Sequence, residues 1–199
     1  MKFYKFISVM LHPIVVPTIG IFLYFIFIQN NFNSSQKFTV LGLIFLTTYI
    51  IPLLVLILFK RFKLIKSFKA ESIQERKVPI AMMIVLFYLL GNTLYGIHNL
   101  IDLGILFYAT TLGLLFIYIL FAFKIKTSIH LTSLGITTGF FFILNLIYQQ
   151  NLIILIICSI LLSGIVASAR LHLKAHTQKE VYLGFVLGFL SPIIVFYFL

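Results

Sequence analysis

The residues best able to do chemistry gather late in the chain, in the stretch ASARLHLKAHTQKEVYLG from Ala167 to Gly184. Arg170 is followed after five residues by His176, and His176 after three more by Glu180. A guanidinium offers parallel N–H donors that match two oxygens of a phosphoryl group. An imidazole can attack phosphorus when a partner fixes which ring nitrogen carries the proton. Glu180 has the spacing for that partner, because residues four apart share one face of a helix. The same letters also carry a structural meaning. Thr177-Gln178-Lys179-Glu180 is a capping-box pattern that starts a helix, and Arg170 suits the last turn of the helix before it.

Two other polar clusters accompany this one. Lys69 is followed after six residues by Arg76, with Pro79 opening the next helix, and Thr127-Ser128-Ile129-His130 leads into a later one. Whether the three meet depends on the apolar elements between them. Apolar runs of membrane-crossing length cover Phe6 to Ile28, Phe38 to Phe59, Pro79 to Leu100, Leu103 to Phe123, Leu131 to Tyr148, Leu152 to Ala169 and Val181 to Leu199. The expected fold is therefore all-α, a polytopic transmembrane bundle of six or seven helices forming one integral membrane domain over residues 1–199. Two helices separate the first cluster from the second and two more separate the second from Arg170, so all three lie on one membrane face. The motif-bearing core is about 60–199.

Composition agrees with that architecture. Hydrophobic residues make up 62% of the 199 positions and charged ones 10%, which is too apolar for a soluble domain. The net charge of +11 sits in short connections between apolar spans and matches no nucleic-acid module, so nucleic acid is not an expected partner. Fourteen of the 15 Lys and Arg residues fall on the side of the N-terminus, with Lys37 alone opposite. The positive-inside rule makes that side cytoplasmic, as in the inner membrane of a bacterium. Lys60 to Ala70 interleaves Phe62, Ile65 and Phe68 with cations, the pattern of an interfacial amphipathic helix held to anionic lipid. The basic start imitates a signal peptide, but no small-residue cleavage site follows, so the first apolar run is expected as a transmembrane helix bent by Pro13 and Pro17. Small residues four apart, Gly135 and Gly139, Ser159, Ser163 and Ala167, then Gly184 and Gly188, predict close helix contacts in the last third. The single cysteine, Cys158, allows no internal disulfide and reads as apolar filler.

The three clusters together resemble the type 2 phosphatidic acid phosphatase superfamily, membrane relatives of the vanadium haloperoxidases. Its pattern is Lys, six residues, Arg-Pro; then Pro-Ser-Gly-His; then Ser-Arg, five residues, His, three residues, Asp. This chain supplies Lys69 and Arg76, then Ser128 and His130, then Arg170, His176 and Glu180, and the resemblance runs from Lys69 to Gly188. Thr127, Ile129, Ala169 and Glu180 stand where the family has Pro, Gly, Ser and Asp, and Lys77-Val78 intervenes before Pro79. The resemblance implies a haloperoxidase-like helical core and a metal-independent, cofactor-free lipid phosphate phosphatase. By the same implication Lys69, Arg76, Arg170 and Ser128 hold the phosphoryl oxygens, His176 forms a phosphohistidine, Glu180 orients it, and His130 protonates the leaving oxygen. The implied substrates are a phosphatidate, a phosphatidylglycerol phosphate, a polyprenyl diphosphate or a lipid A phosphate.

Rival functions leave different traces. A magnesium-dependent transferase needs clustered carboxylates, whereas the four acids, Glu71, Glu75, Asp102 and Glu180, are scattered. A catalytically silent relative would bind or translocate a lipid phosphate with the same cations and release no phosphate. Among the other histidines, His12 has a place near the same face but suits the entry of the first helix better, His172 is expected in a loop, and His98 on the opposite side with Asp102.

Overall fold

The computed structural model describes residues 2–28, 30–65, 72–149 and 151–199, and these form an all-α bundle. Its helices are α1 (Lys2–Met10), α2 (Val16–Phe27), α3 (Ser34–Phe45), α4 (Ile51–Arg61), α5 (Ile73–Tyr95), α6 (Ile101–Ala122), α7 (Ile129–Tyr148), α8 (Ile153–His172) and α9 (Gln178–Phe198). A five-residue π turn joins α3 to α4, giving one 28-residue span, and among the described residues six helices are long and apolar enough to cross a membrane.

The expected single first helix is instead two. The run of apolar letters is continuous from Phe6, but Pro13 and Pro17 both lack a donor, and the backbone turns over Leu11 to Val15. α1 lies along α8, where Tyr4 stacks on His172 with ring centroids 4.2 Å apart. His172 is thus the last residue of α8 rather than part of a loop. Phe3, Phe6, Val9 and Met10 face outward, each more than half exposed. α2, only 12 residues long, runs from the His12 turn to the far end of the bundle, where the Tyr24 hydroxyl donates to Asp102 at 3.0 Å. Asp102 also accepts from the Tyr148 hydroxyl at 2.6 Å, so this acid ties α2, α6 and α7 together at the end opposite the polar clusters.

Two other boundaries move for local reasons. α5 begins at Ile73, before Pro79, because Ser72 and Glu75 form a capping box: the Ser72 hydroxyl accepts the Glu75 N–H at 3.2 Å and the Glu75 carboxylate accepts the Ser72 N–H at 3.5 Å. Arg76 consequently sits in the first turn of α5. The expected amphipathic helix over Lys60 to Ala70 fails at Phe62, since α4 closes there with Lys63 at φ 59° and residues 62–65 are non-helical; the rest of it lies outside the described residues. Lys124 and Lys174 close α6 and α8 in the same left-handed conformation. In each of the three ends the next residue's N–H reaches back to the carbonyl five positions earlier, as in Leu64 to Phe59, Ile125 to Leu120 and Ala175 to Arg170. A lysine at that position costs backbone strain but brings a cation to the negative end of the helix.

The closest packing joins α7 and α9. A methyl group on Gly135 or Gly139 would run into the carbonyl oxygens of Phe185 and Phe189, and one on Gly188 would meet that of Thr132. One on Gly184 would stand 2.7 Å from the Ser128 carbonyl oxygen. Backbone approaches backbone here, and that sets how α7 presents its first turn to α9. Ser159 and Ser163 are buried with hydroxyls returned to their own helix, and Cys158 faces outward.

Candidate active site

One end of the bundle gathers the starts of α5, α7 and α9, the end of α8 and the turn between α1 and α2. Arg76, His130, Arg170 and His176, from three connections of the sequence, line one cavity of about 190 Å³ together with His12 from a fourth. Lys69 lies outside the described residues.

α9 is started by a full capping box: Thr177 Oγ1 accepts the Glu180 N–H at 3.4 Å, and Glu180 Oε2 accepts the Thr177 N–H at 3.4 Å. The same Oε2 takes the Nδ1–H of His176 at 2.6 Å. Glu180 therefore both caps the helix and holds the imidazole, because a carboxylate oxygen has two lone pairs. With Nδ1 protonated, the lone pair of neutral His176 is on Nε2. Burial pushes the His176 imidazole down to about 4; Glu180 opposes that shift, and Arg170, Arg76 and Lys126 add to it. At neutral pH the ring is uncharged and nucleophilic.

The cations around it are held by backbone as much as by side chains. Arg76, 8% exposed, donates from Nη1 to the Thr127 carbonyl at 3.4 Å. Lys126 Nζ donates to the Ala175 carbonyl at 3.2 Å, which ties the α6–α7 connection to the α8–α9 connection. Arg170 donates from Nη1 to the Ser8 hydroxyl at 2.8 Å, and its Nε–H is buried without a hydrogen-bond partner. Ser128 precedes α7 without capping it: its hydroxyl is buried and unpartnered, as is that of Thr127, while its N–H donates to the Glu180 carbonyl at 3.1 Å. Unpartnered buried donors are costly; of these residues Arg170 lines the basic cavity, whereas Thr127 and Ser128 lie behind its lining.

His130 stands in the first turn of α7, and its Nε2 bonds the Ser8 carbonyl oxygen at 3.1 Å; a carbonyl only accepts, so Nε2 carries the proton. Ile129, beside it, lines the cavity wall. Ser8 is a participant that the sequence did not announce, and His12, expected at a helix entry, joins it. Ser8 binds two of the three clusters at once, and the His12 ring meets that of His130 at 5.2 Å, edge to face. Burial, and then the Arg170 guanidinium, lower the His12 imidazole below its ordinary value. The available signal was a serine and a histidine ahead of a proline pair within an apolar run. His98, exposed, lies at the other end of α5 from Arg76.

The arrangement can bind a tetrahedral dianion with two guanidiniums and present an uncharged imidazole nitrogen to it. No family model, curated protein or solved structure matches this chain.

Proposed function

We propose that the chain is a membrane-embedded, metal-independent phosphatase of lipid phosphates that works through a phosphohistidine on a haloperoxidase-like helical core. The observation that carries this reading is the His176–Glu180 pair, an imidazole held in the Nδ1–H form beside Arg76 and Arg170. His176 Nε2 attacks phosphorus, the bond from phosphorus to the lipid oxygen breaks, and that oxygen leaves as an alcohol with the Nδ1 proton of a His130 imidazolium, whose Nε2–H stays on the Ser8 carbonyl. Water then attacks phosphorus, giving a proton back to His130 Nδ1 as the phosphorus–nitrogen bond breaks, so inorganic phosphate departs and His176 regains its lone pair. Arg76, Arg170, Ser128 and, by the spacing of the first motif, Lys69 carry the charge of the transferring group, the work that a metal ion does in other phosphoryl-transfer sites.

The lipid part of the reading is supported by a second cavity. An apolar one, walled by Val16, Phe107, Ile136 and Phe140, shares Pro13, Phe87, Leu114 and Ile129 with the basic one. A phosphate headgroup in the basic chamber would leave its hydrocarbon in a neighbouring apolar chamber. On the positive-inside reading that chamber opens at the cytoplasmic leaflet.

The test is phosphate release by detergent-purified protein, with EDTA present, from phosphatidate, phosphatidylglycerol phosphate, polyprenyl diphosphate and lipid A phosphates. Turnover that survives chelation and is lost in His176→Ala is the expected result. Binding of lipid phosphate without release, dependent on Arg76 and Arg170, would replace the phosphatase with a silent binder or transporter.

A further inference from the structure

His12 belongs to none of the three motifs, yet its ring lines the cavity beside Arg76, Arg170, His130 and His176. Its surroundings decide its protonation. Nδ1 accepts the Ile14 N–H at 3.3 Å, so the proton of the neutral ring is on Nε2. That Nε2–H has no hydrogen-bond partner among the described residues. The ring is steadied by the edge-to-face contact with His130, which the Ser8 carbonyl holds in turn. The backbone turn around Pro13 puts the ring there, and a continuous first helix would not.

We infer that His12 is a further catalytic residue of this site, a neutral Nε2–H donor to a non-bridging oxygen of the bound phosphoryl group. The inference rests on the phosphatase reading for the reaction, though not for the anion. Acid catalysis is a poorer role for this ring, because an imidazolium needs a proton on the same Nδ1 that accepts from Ile14. A neutral donor suits a cavity that already holds two guanidiniums: it adds a directed hydrogen bond without a third unit of charge. As charge spreads over the equatorial oxygens in the transition state, such a fixed donor gains strength.

The test compares the full chain in detergent with His12→Ala, His12→Gln and His176→Ala, reading phosphate release, inhibition by orthovanadate and the melting temperature. His12→Ala is expected to lose about 10²-fold in kcat/KM, the usual cost of removing one such donor, with a comparable weakening of vanadate. His12→Gln, whose amide N–H reaches near the position of Nε2, should recover part of both while melting with the parent. His12→Ala within about twofold of the parent in both readouts would overturn the assignment and leave the phosphatase reading intact. So would His12→Gln no better than His12→Ala, with both melting lower than the parent. If the parent releases no more phosphate than His176→Ala, the phosphatase reading falls and binding of inorganic phosphate decides His12 alone. Weaker binding in His12→Ala upholds the donor, and equal binding overturns it.

Discussion

Glu180 carries two duties on one oxygen, and they can be separated by a pair of substitutions. Glu180→Gln keeps the capping box, since glutamine serves at that position as glutamate does, but replaces the anion that receives the His176 Nδ1–H at 2.6 Å with a neutral acceptor. A hydrogen bond to a charged group is worth about 1.5–3 kcal/mol. The ring becomes positive as Nε2 bonds to phosphorus, so most of that difference is felt in the transition state. At about 1.4 kcal/mol per decade, kcat should fall roughly 10- to 150-fold with little loss of stability. Thr177→Ala does the reverse: it removes the hydroxyl that accepts the Glu180 N–H at about 1 kcal/mol of stability and touches no reacting atom. That corresponds to a fall in melting temperature of about 2–4 °C for a chain of this size, with turnover unchanged. Initial rates of phosphate release and thermal melts on the same preparations give both numbers. Equal rates for Glu180→Gln and the parent, or a rate loss in Thr177→Ala as large as in Glu180→Gln, would refute the orienting role and leave only the helix cap.

Other outcomes follow from the same geometry. Because His176 keeps its lone pair down to about pH 4, the acid limb of phosphohistidine formation should lie there rather than near the ordinary histidine value, and Glu180→Gln should move it lower. The depressed value also affects stability: the unfolded chain takes up this proton near about pH 6.5, before the folded one does. The melting temperature of the parent should therefore drop more steeply than that of His176→Asn as pH falls through that window. Gly188→Ala puts a methyl group into the Thr132 carbonyl and should cost about 1–3 kcal/mol as overpacking, read as a lower melting temperature. Ser8→Ala should keep turnover within about threefold of the parent, because the carbonyl that binds His130 remains.

The convergence of Arg76, His130, Arg170 and His176 was legible because it depends on helix parity, which apolar run lengths count well. Hydropathy failed where backbone chemistry overrides it. The letters between Met10 and Val16 are nearly all apolar, and only the absent proline donors break the helix there. Pro52 did similar work unnoticed: without its N–H the helix widens, the Ile51 N–H reaches back to the Leu46 carbonyl, and buried Thr48 faces the Thr18 hydroxyl at 3.5 Å. Ser8 escaped for another reason. Its partners lie 122 and 162 positions away, and no local pattern encodes them. Reading Glu180 as either a cap or the partner of His176 posed a choice that the oxygen does not have to make.

The Ser8–Arg170 bond has a consequence for biogenesis. Its two residues are 162 positions apart, and at about 5–20 residues per second the ribosome needs roughly 10–30 s to deliver the second after the first. For all that time α1 has neither α8 nor the cavity to lean on. Lys2 and Lys5 at the headgroups, with Phe3, Phe6, Val9 and Met10 toward the acyl chains, give it a place to wait in the membrane interface. A chain arrested before α8 leaves the membrane would hold Ser8, His12 and Arg76 but lack the nucleophile and its carboxylate. Phosphate release would then serve as an end-point signal for complete insertion, since Arg76 and His130 must wait for Arg170, His176 and Glu180 before any of it can occur.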